Sequence, residues 1–504
     1  MVYNGKPSTG CYLCRRRKIK CDEARPGCRN CFVYGKECPG YRPAIVFQNE
    51  PATAHFRRWR SPVRKGSSSF ADSTLSENTS LVSRLRYLAD ATWEDRALCY
   101  FFDQYTIPKK SDGALGILES IPALYILCRE NEVAGSSSLC LRWAVDAVAL
   151  SAFAHEANAS HLDYQARKRY GMALRGLREA LASPTESAKD ETLAAILLLA
   201  IFEDINGERR GLHSSHTAGF ELFARLHSQR RLDGKYSRCL FNFAYAQLQI
   251  QILGLGNRPR IDLGSLVELF DPSDPLQQLM STVTKISRLV LDAQCPLSAK
   301  NVDSAVTRAH FHFRIMHAKT LDSELGRWCR NLPHEWLPRV VYSMPGESLL
   351  TYLDVPTGSL WNFYRSARII LQSMIQNMYE MVESLPGEYP EDEVNDVSAD
   401  VTPSDMIRDL ISDICKSIPF TLGDVDMMGN PAQPASNSSG LGERRNNSRL
   451  RAIEGYELIW PLWGICTNNH STPRQKRQAR NALQRLGSIL GIKLASRLAD
   501  AIEP

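Results

Sequence analysis

Six cysteines near the N-terminus recur with a single period. Cys11, Cys14 and Cys21 are spaced C-x2-C-x6-C, and Cys28, Cys31 and Cys38 repeat that spacing at a constant offset of 17 residues. A duplication this regular implies two similar half-sites related by a pseudo-twofold axis. Cysteine spacings of this kind suit zinc, yet six thiolates cannot fill two separate tetrahedral shells, which need about eight ligands. The count closes when two sulfurs are shared. By symmetry the shared pair is equivalent across the repeat, and the first cysteine of each half, Cys11 and Cys28, is the natural choice. One ion then takes Cys14 and Cys21 as terminal ligands, and the other takes Cys31 and Cys38.

Two blander readings of clustered cysteines fit less well. A disulfide framework belongs to small secreted domains, but the first 20 residues are broken by Asn4, Lys6, Pro7 and a run of Arg and Lys and do not read as a secretory signal. A metal store needs no basic run between its ligands. The chain reads as not secreted, with reduced thiols. Its longest apolar run, Leu193 to Phe202, is ten residues, against about 20 for a bilayer span, so no membrane partner is expected.

Charge follows the same division. The 504 residues carry a formal +6. Met1 to Lys65 holds fifteen basic and four acidic side chains, a net +11, and the remainder is −5. Arg15, Arg16, Arg17, Lys18 and Lys20 lie between the second and third cysteines. Apart from Ile19 this stretch is straight-chained, which predicts a short helix over Arg15 to Lys20. Two zinc ions and six thiolates leave a cluster over Cys11 to Cys38 of about +3, still attractive to phosphates.

The six cysteines, the basic run and the Pro26-Gly27 turn between the halves closely resemble the fungal binuclear zinc cluster, or Zn2Cys6, family of DNA-binding domains. The resemblance implies two structural zinc ions bridged by Cys11 and Cys28, and a helix placed in the major groove of double-stranded DNA. It also implies that Lys18 reads guanines of a CGG triplet at O6 and N7, with Arg15, Arg16, Arg17, Lys20 and Arg29 on phosphates. The segments CPGYRPAIVF (Cys38 to Phe47), His216-Thr217-Ala218-Gly219 and Tyr456 to Leu462 resemble, more loosely, the fungal-specific transcription factor domain that follows such clusters. Together these imply a nuclear, RNA polymerase II transcription factor, an activator on family grounds. Coactivators and a small-molecule effector are its implied partners, and secondary-metabolite or nutrient-pathway genes its implied targets. The reading from another class is a helical scaffold or ligand-sensing regulator, or a repressor, whose cluster gives non-specific DNA or protein contact.

The organisation expected is a zinc cluster domain at 7–42 with two short helices, a basic, Ser-rich flexible linker at 43–90, and a large all-α regulatory domain at 91–504. Disordered inserts are expected near 384–404 and 426–448. In the linker, His55 to Lys65 could track phosphates, assist nuclear import or be a solvated arm. Leu81, Leu85 and Leu88 make about two turns, too few for a coiled coil. Within the body, Leu276 to Val290 is helical by periodicity, with Asp274 as N-cap and Pro275 at the first position. Leu483, Leu486, Leu490 and Leu494 form another helix behind Thr472-Pro473, and Leu193 to Phe202 reads as a central buried helix. The acidic stretch Glu380 to Asp405 reads as a solvated loop in preference to an activation segment.

No catalytic constellation emerges. Gly254-x-Gly256 meets Pro259 where a dinucleotide fingerprint wants glycine, His213-x-x-His216 lacks a carboxylate at metal-ligand spacing, and the eight remaining cysteines sit mostly on apolar faces as small core residues. The chain is not expected to be an enzyme. Trp460, Trp463 and Phe202 are candidates to line an effector pocket, although core aromatics are expected in any case.

Overall fold

The 17-residue repeat becomes two copies of one small motif. A computed structural model describes residues 10–24, 27–36, 38–39, 92–107, 118–130, 135–209, 211–229, 235–268, 270–293, 304–343, 346–385, 401–431 and 450–501, and the chain divides into two units, Met1–Ala71 and Asp72–Pro504. In the first unit each half opens on a five-residue helix, α1 (Tyr12–Arg16) and α2 (Arg29–Val33). Cys11 and Cys28 are their N-caps, and each sulfur accepts the backbone N–H of the next ligand, Cys14 at 3.4 Å and Cys31 at 3.3 Å. The ligand that opens each half also caps its helix.

Both helices end in the same way, and here the predicted helix over Arg15 to Lys20 is corrected. α1 stops at Arg16, Arg17 is its C-cap, and Lys18 takes a left-handed φ of 55°. The Ile19 N–H returns to the Cys14 carbonyl and the Lys18 N–H to the Arg15 carbonyl, both at 3.1 Å, the hydrogen-bond pair of a Schellman ending. In α2 the equivalent bonds run from Lys36 to Cys31 and from Gly35 to Phe32, with Gly35 at φ 69°. The reason is geometric. A helix continued to Cys21 would set it about 10 Å along the axis from Cys14, whereas the ligand sulfurs of this half lie within 4.8 Å of one another.

The second unit is helical. In chain order its elements are α3 (Trp93–Tyr105), α4 (Ile121–Glu130), α5 (Ser136–Glu156), α6 (Ser160–Ala182), α7 (Asp190–Asn206), α8 (Thr217–Ser228), α9 (Ser237–Leu255), α10 (Gly264–Val267), α11 (Pro275–Ala293) and α12 (Ser304–Asn331). They continue with α13 (Val355–Ser384), α14 (Pro403–Thr421), α15 (Ala452–Thr467), α16 (Pro473–Leu490) and α17 (Lys493–Asp500). The run Leu193 to Phe202 lies in α7, and every one of its residues is buried. Apolar side chains all round leave this helix no solvated face, so it sits inside the others. α11 starts as its sequence implies, with the Asp274 carboxylate accepting the Leu276 N–H at 2.9 Å. α16 starts on a capping box between Thr472 and Gln475.

Two local expectations differ. Gly491, at φ 71°, closes α16, so Leu494 belongs to the separate helix α17. The body also contains one antiparallel hairpin, β1 (Arg339–Tyr342) paired with β2 (Ser348–Thr351), too short to show a period in the sequence. Although no apolar run approaches 20 residues, α5 is long and apolar enough as a whole to cross a membrane. Most of α5 is buried within the body, where it packs beside α6 and α7.

Of the predicted inserts, α13 ends at Ser384 and α14 begins at Pro403, and 386–400 lie outside the described residues. Residues 426–431 of the second form a turn in which Asp426 accepts the N–H groups of Met428 and Asn430, and 432–449 lie outside. The linker motifs at His55 to Lys65, Ser67 to Ser80 and Leu81 to Leu88, together with Pro26, also lie outside the described residues.

Candidate metal centre and nucleic-acid interface

The six sulfurs fall into two sets of four. Cys11, Cys14, Cys21 and Cys28 form one, and Cys11, Cys28, Cys31 and Cys38 the other, each with all sulfurs within 4.8 Å of one another. The sets share Cys11 and Cys28, whose sulfurs are 3.6 Å apart. Each set gives four thiolate donors to one tetrahedral ion, the donor chemistry that zinc prefers. Cys11, Cys14, Cys28 and Cys31 are buried. Burial, followed by hydrogen bonds that the thiol donates to neighbouring sulfurs, pushes the Cys14 thiol up to about 12 and drives Cys31 up as well. Cys14 and Cys31 therefore favour the thiol form when no cation is beside them, and a bound cation is what would hold them as thiolates.

Comparison with known proteins agrees. The family model described as the fungal Zn(2)-Cys(6) binuclear cluster domain matches residues 9–45, and that described as the fungal specific transcription factor domain matches residues 136–339. The chain carries a fungal binuclear zinc cluster domain. It is similar over 39 residues, at 51% identity, to the aspercryptin biosynthesis cluster-specific transcription regulator of Emericella nidulans, covering 8% of this chain and 6% of that protein. A Zn(2)-C6 fungal-type transcription factor of Aspergillus fumigatus is 54% identical over 48 residues, 10% of this chain and 13% of that protein. A transcription activator of Alternaria alternata is 51% identical over 43 residues, 8% and 5% of the two chains. The matched stretches thus span from 5% to 13% of these relatives. No solved structure matches.

In the binuclear cluster domain every residue from Arg15 to Lys20 is exposed. The cluster carries the basic run outward on a tight turn instead of a continuous helix. Lys18 occupies the left-handed position that Gly35 fills in the other half. A non-glycine residue there costs roughly 1–2 kcal/mol, so the scaffold's own preference at this position is glycine. Arg29 opens α2, and its backbone N–H donates to both Asp22 carboxylate oxygens at 3.1 and 3.0 Å. Asn30 Nδ2 donates to the Lys20 carbonyl at 2.7 Å. Asp22 and Asn30 therefore tie the end of the basic run to the second half. Neither was singled out from sequence, because nothing local marks a contact made across the repeat.

Phe32 and Val33, 85% and 78% exposed, stand in α2 where Arg15 and Arg16 stand in α1. At these two equivalent positions the duplicated scaffold thus presents basic side chains in one half and apolar ones in the other.

In the body, the motif residues outside the cluster converge. Glu203, near the end of α7, accepts from Tyr170 at 2.8 Å, from Ser215 at 2.5 Å and from His216 at 3.1 Å. Burial opposes the Glu203 charge, but the hydrogen bonds and charge of His216, with Ser215 and Tyr170, outweigh it and hold the carboxyl down at about 2. The neighbouring Asp204 is fully buried, paired with Arg209 at 2.6 Å, and accepts from Tyr456 at 2.6 Å. Gly219 is required by a close approach, since a Cβ there would lie 2.5 Å from Ile196 Cγ2. His216 and Gly219 of one motif and Tyr456 of the other thus lock α8 and α15 onto α7. His213 and His216 precede α8 and share no helical face. His216 is a structural partner of Glu203.

The body cysteines behave as core residues. Burial pushes Cys140 and Cys415 up to about 12, and Cys99, Cys239 and Cys329 are partly buried. Cys295 lies outside the described residues. Neither matched family description is that of an enzyme.

Proposed function

We propose that this protein is a nuclear, sequence-specific DNA-binding regulator of transcription that reads CGG-like half-sites through its cluster domain. The observation carrying the reading is the position of Lys18, an exposed base at a glycine-type turn, one residue beyond the C-cap of a helix whose N-cap is a shared metal ligand. Zinc, when bound, supplies the fold of this segment, as in metal-dependent small domains. Lys18, fixed by the turn, donates to guanine O6 and N7. Arg15, Arg16, Arg17, Lys20 and Arg29 meet phosphates, adding affinity and salt dependence without sequence preference. The helical body recruits coactivators or otherwise regulates output. Activation is the favoured sign, because one similar protein is named a transcription activator, and a biosynthetic gene set is the favoured target, because another is named a biosynthesis cluster-specific regulator.

The test is random-site selection with the zinc-loaded full chain. Enrichment of a CGG triplet is the expected result. Tight binding with no enriched triplet would favour the non-specific scaffold instead.

A further inference from the structure

Among the described residues, the body forms a half-open cavity of about 460 Å³ between α9, α11, α12, α13, α14 and α15, within the roughly 300–1,000 Å³ of pockets that take small organic molecules. Phe311, Ile370, Met374, Met378, Trp460 and Trp463 are among its apolar walls. Phe202 is not part of it; that ring stacks on Tyr170 with centroids 4.4 Å apart. Arg314 is the one charged side chain among the described lining residues, and no carboxylate lines the cavity with it. Among the described residues Arg314 donates to the Asp292 carbonyl at 2.9 Å, and a guanidinium has further donors to offer an acceptor.

The wall formed by α15 departs from ordinary helix composition where it faces this space. Pro461 and Gly464 both lie within the helix and both line the cavity, although an interior proline costs about 3 kcal/mol and a glycine about 1 kcal/mol relative to alanine. Packing does not demand the glycine, since a Cβ at Gly464 would meet nothing within 4 Å. What Gly464 leaves is room. Across the cavity, a Cβ at Gly254 would come within 3.3 Å of Trp460 Nε1, so that glycine lets Trp460 stand where it does.

We infer that this cavity is a binding site for a small, mostly apolar organic molecule bearing one anionic group. Its rings or chain lie against Trp460, Trp463 and the methionines, and its acid pairs with Arg314. The site is independent of the DNA reading, and its failure would leave that reading untouched.

The experiment uses the zinc-loaded full chain with two fluorescent probes sharing one aromatic skeleton, 8-anilinonaphthalene-1-sulfonate and the uncharged N-phenyl-1-naphthylamine. Both are expected to bind saturably at one site. Arg314→Gln is expected to weaken the sulfonate about tenfold, the scale of a hydrogen bond to a charged group, and to leave the neutral probe within about twofold. Gly464→Leu, which fills the space, is expected to abolish both while the near-UV circular dichroism is kept. Absence of saturable binding, binding that survives Gly464→Leu, or equal effects of Arg314→Gln on both probes would overturn the inference. Arg314 is only partly buried, so Arg314→Gln gives an independent readout if Gly464→Leu does not fold.

Discussion

The Arg17 guanidinium stands over the Tyr34 ring, its central carbon 3.5 Å from the ring centroid. The two residues are 17 apart and are the C-caps of α1 and α2, so the contact joins equivalent points of the duplicated motif. It closes the two helix ends on each other on the side away from the N-capping sulfurs, and it holds the backbone immediately before Lys18.

Tyr34→Ala removes that stack. For a half-exposed pair of this kind the loss is about 0.5–1 kcal/mol, equivalent to roughly a two- to fivefold weaker hold on zinc. Chelator competition on the full chain measures it, and Tyr34→Phe is expected to match the unaltered protein.

Left-handed backbone at equivalent turns makes opposite forecasts for glycine. Gly35→Ala introduces a Cβ that meets no atom within 4 Å, so its cost is conformational alone, roughly 1–2 kcal/mol. Lys18→Gly relieves the same strain and is expected to hold zinc at least as well as the unaltered protein while losing base readout. Zinc retention and DNA selectivity, measured together, are expected to separate in this variant.

Metal removal acts on one unit. Native mass spectrometry of the full chain is expected to find two zinc ions, and one or none would contradict sharing of Cys11 and Cys28. Chelation is expected to abolish DNA binding and leave far-UV circular dichroism nearly unchanged, because the helical body has its own core. Since the ligands bind as thiolates, zinc retention falls as pH is lowered.

The buried network sets a second pH dependence. With Glu203 held at about 2 against an ordinary 4.5, its contribution to stability is present above pH 4.5 and is lost as pH falls from 4.5 through 2. Melting curves across that window are expected to show the loss, and Glu203→Gln to remove this part of it. Tyr456→Phe deletes a donor to the buried Asp204 carboxylate and is expected to cost about 1.5–3 kcal/mol in denaturant titrations.

Much of the cluster was legible from spacing alone, because six ligands around two tetrahedral ions leave little choice once the repeat is seen. Symmetry required an equivalent shared pair without choosing among the three, and the geometry agrees with the first cysteine of each half, Cys11 and Cys28. What local reading missed was the reversal at Lys18. Propensity favours a continued helix through Lys20, but the requirement that Cys21 return to the metal overrides it. In the body, caps such as Asp274 and the all-apolar α7 were readable because each is a local signal. The pairing of Glu203 with His216 and of Asp204 with Tyr456 was not, since the latter spans 252 residues and carries no periodic trace. The β1–β2 hairpin, four residues to a strand, is too short to announce itself.

The central claim is that Lys18 reads bases while its neighbours hold phosphates. Its most direct measurement is the affinity of the full chain, and of its Lys18→Ala and Arg29→Ala variants, for a CGG duplex and a scrambled duplex across a salt series. The account predicts that Lys18→Ala loses about 1–3 kcal/mol on the CGG duplex alone. It predicts that Arg29→Ala weakens both duplexes alike and lowers the salt slope by about one. Equal losses on both duplexes for Lys18→Ala would contradict it.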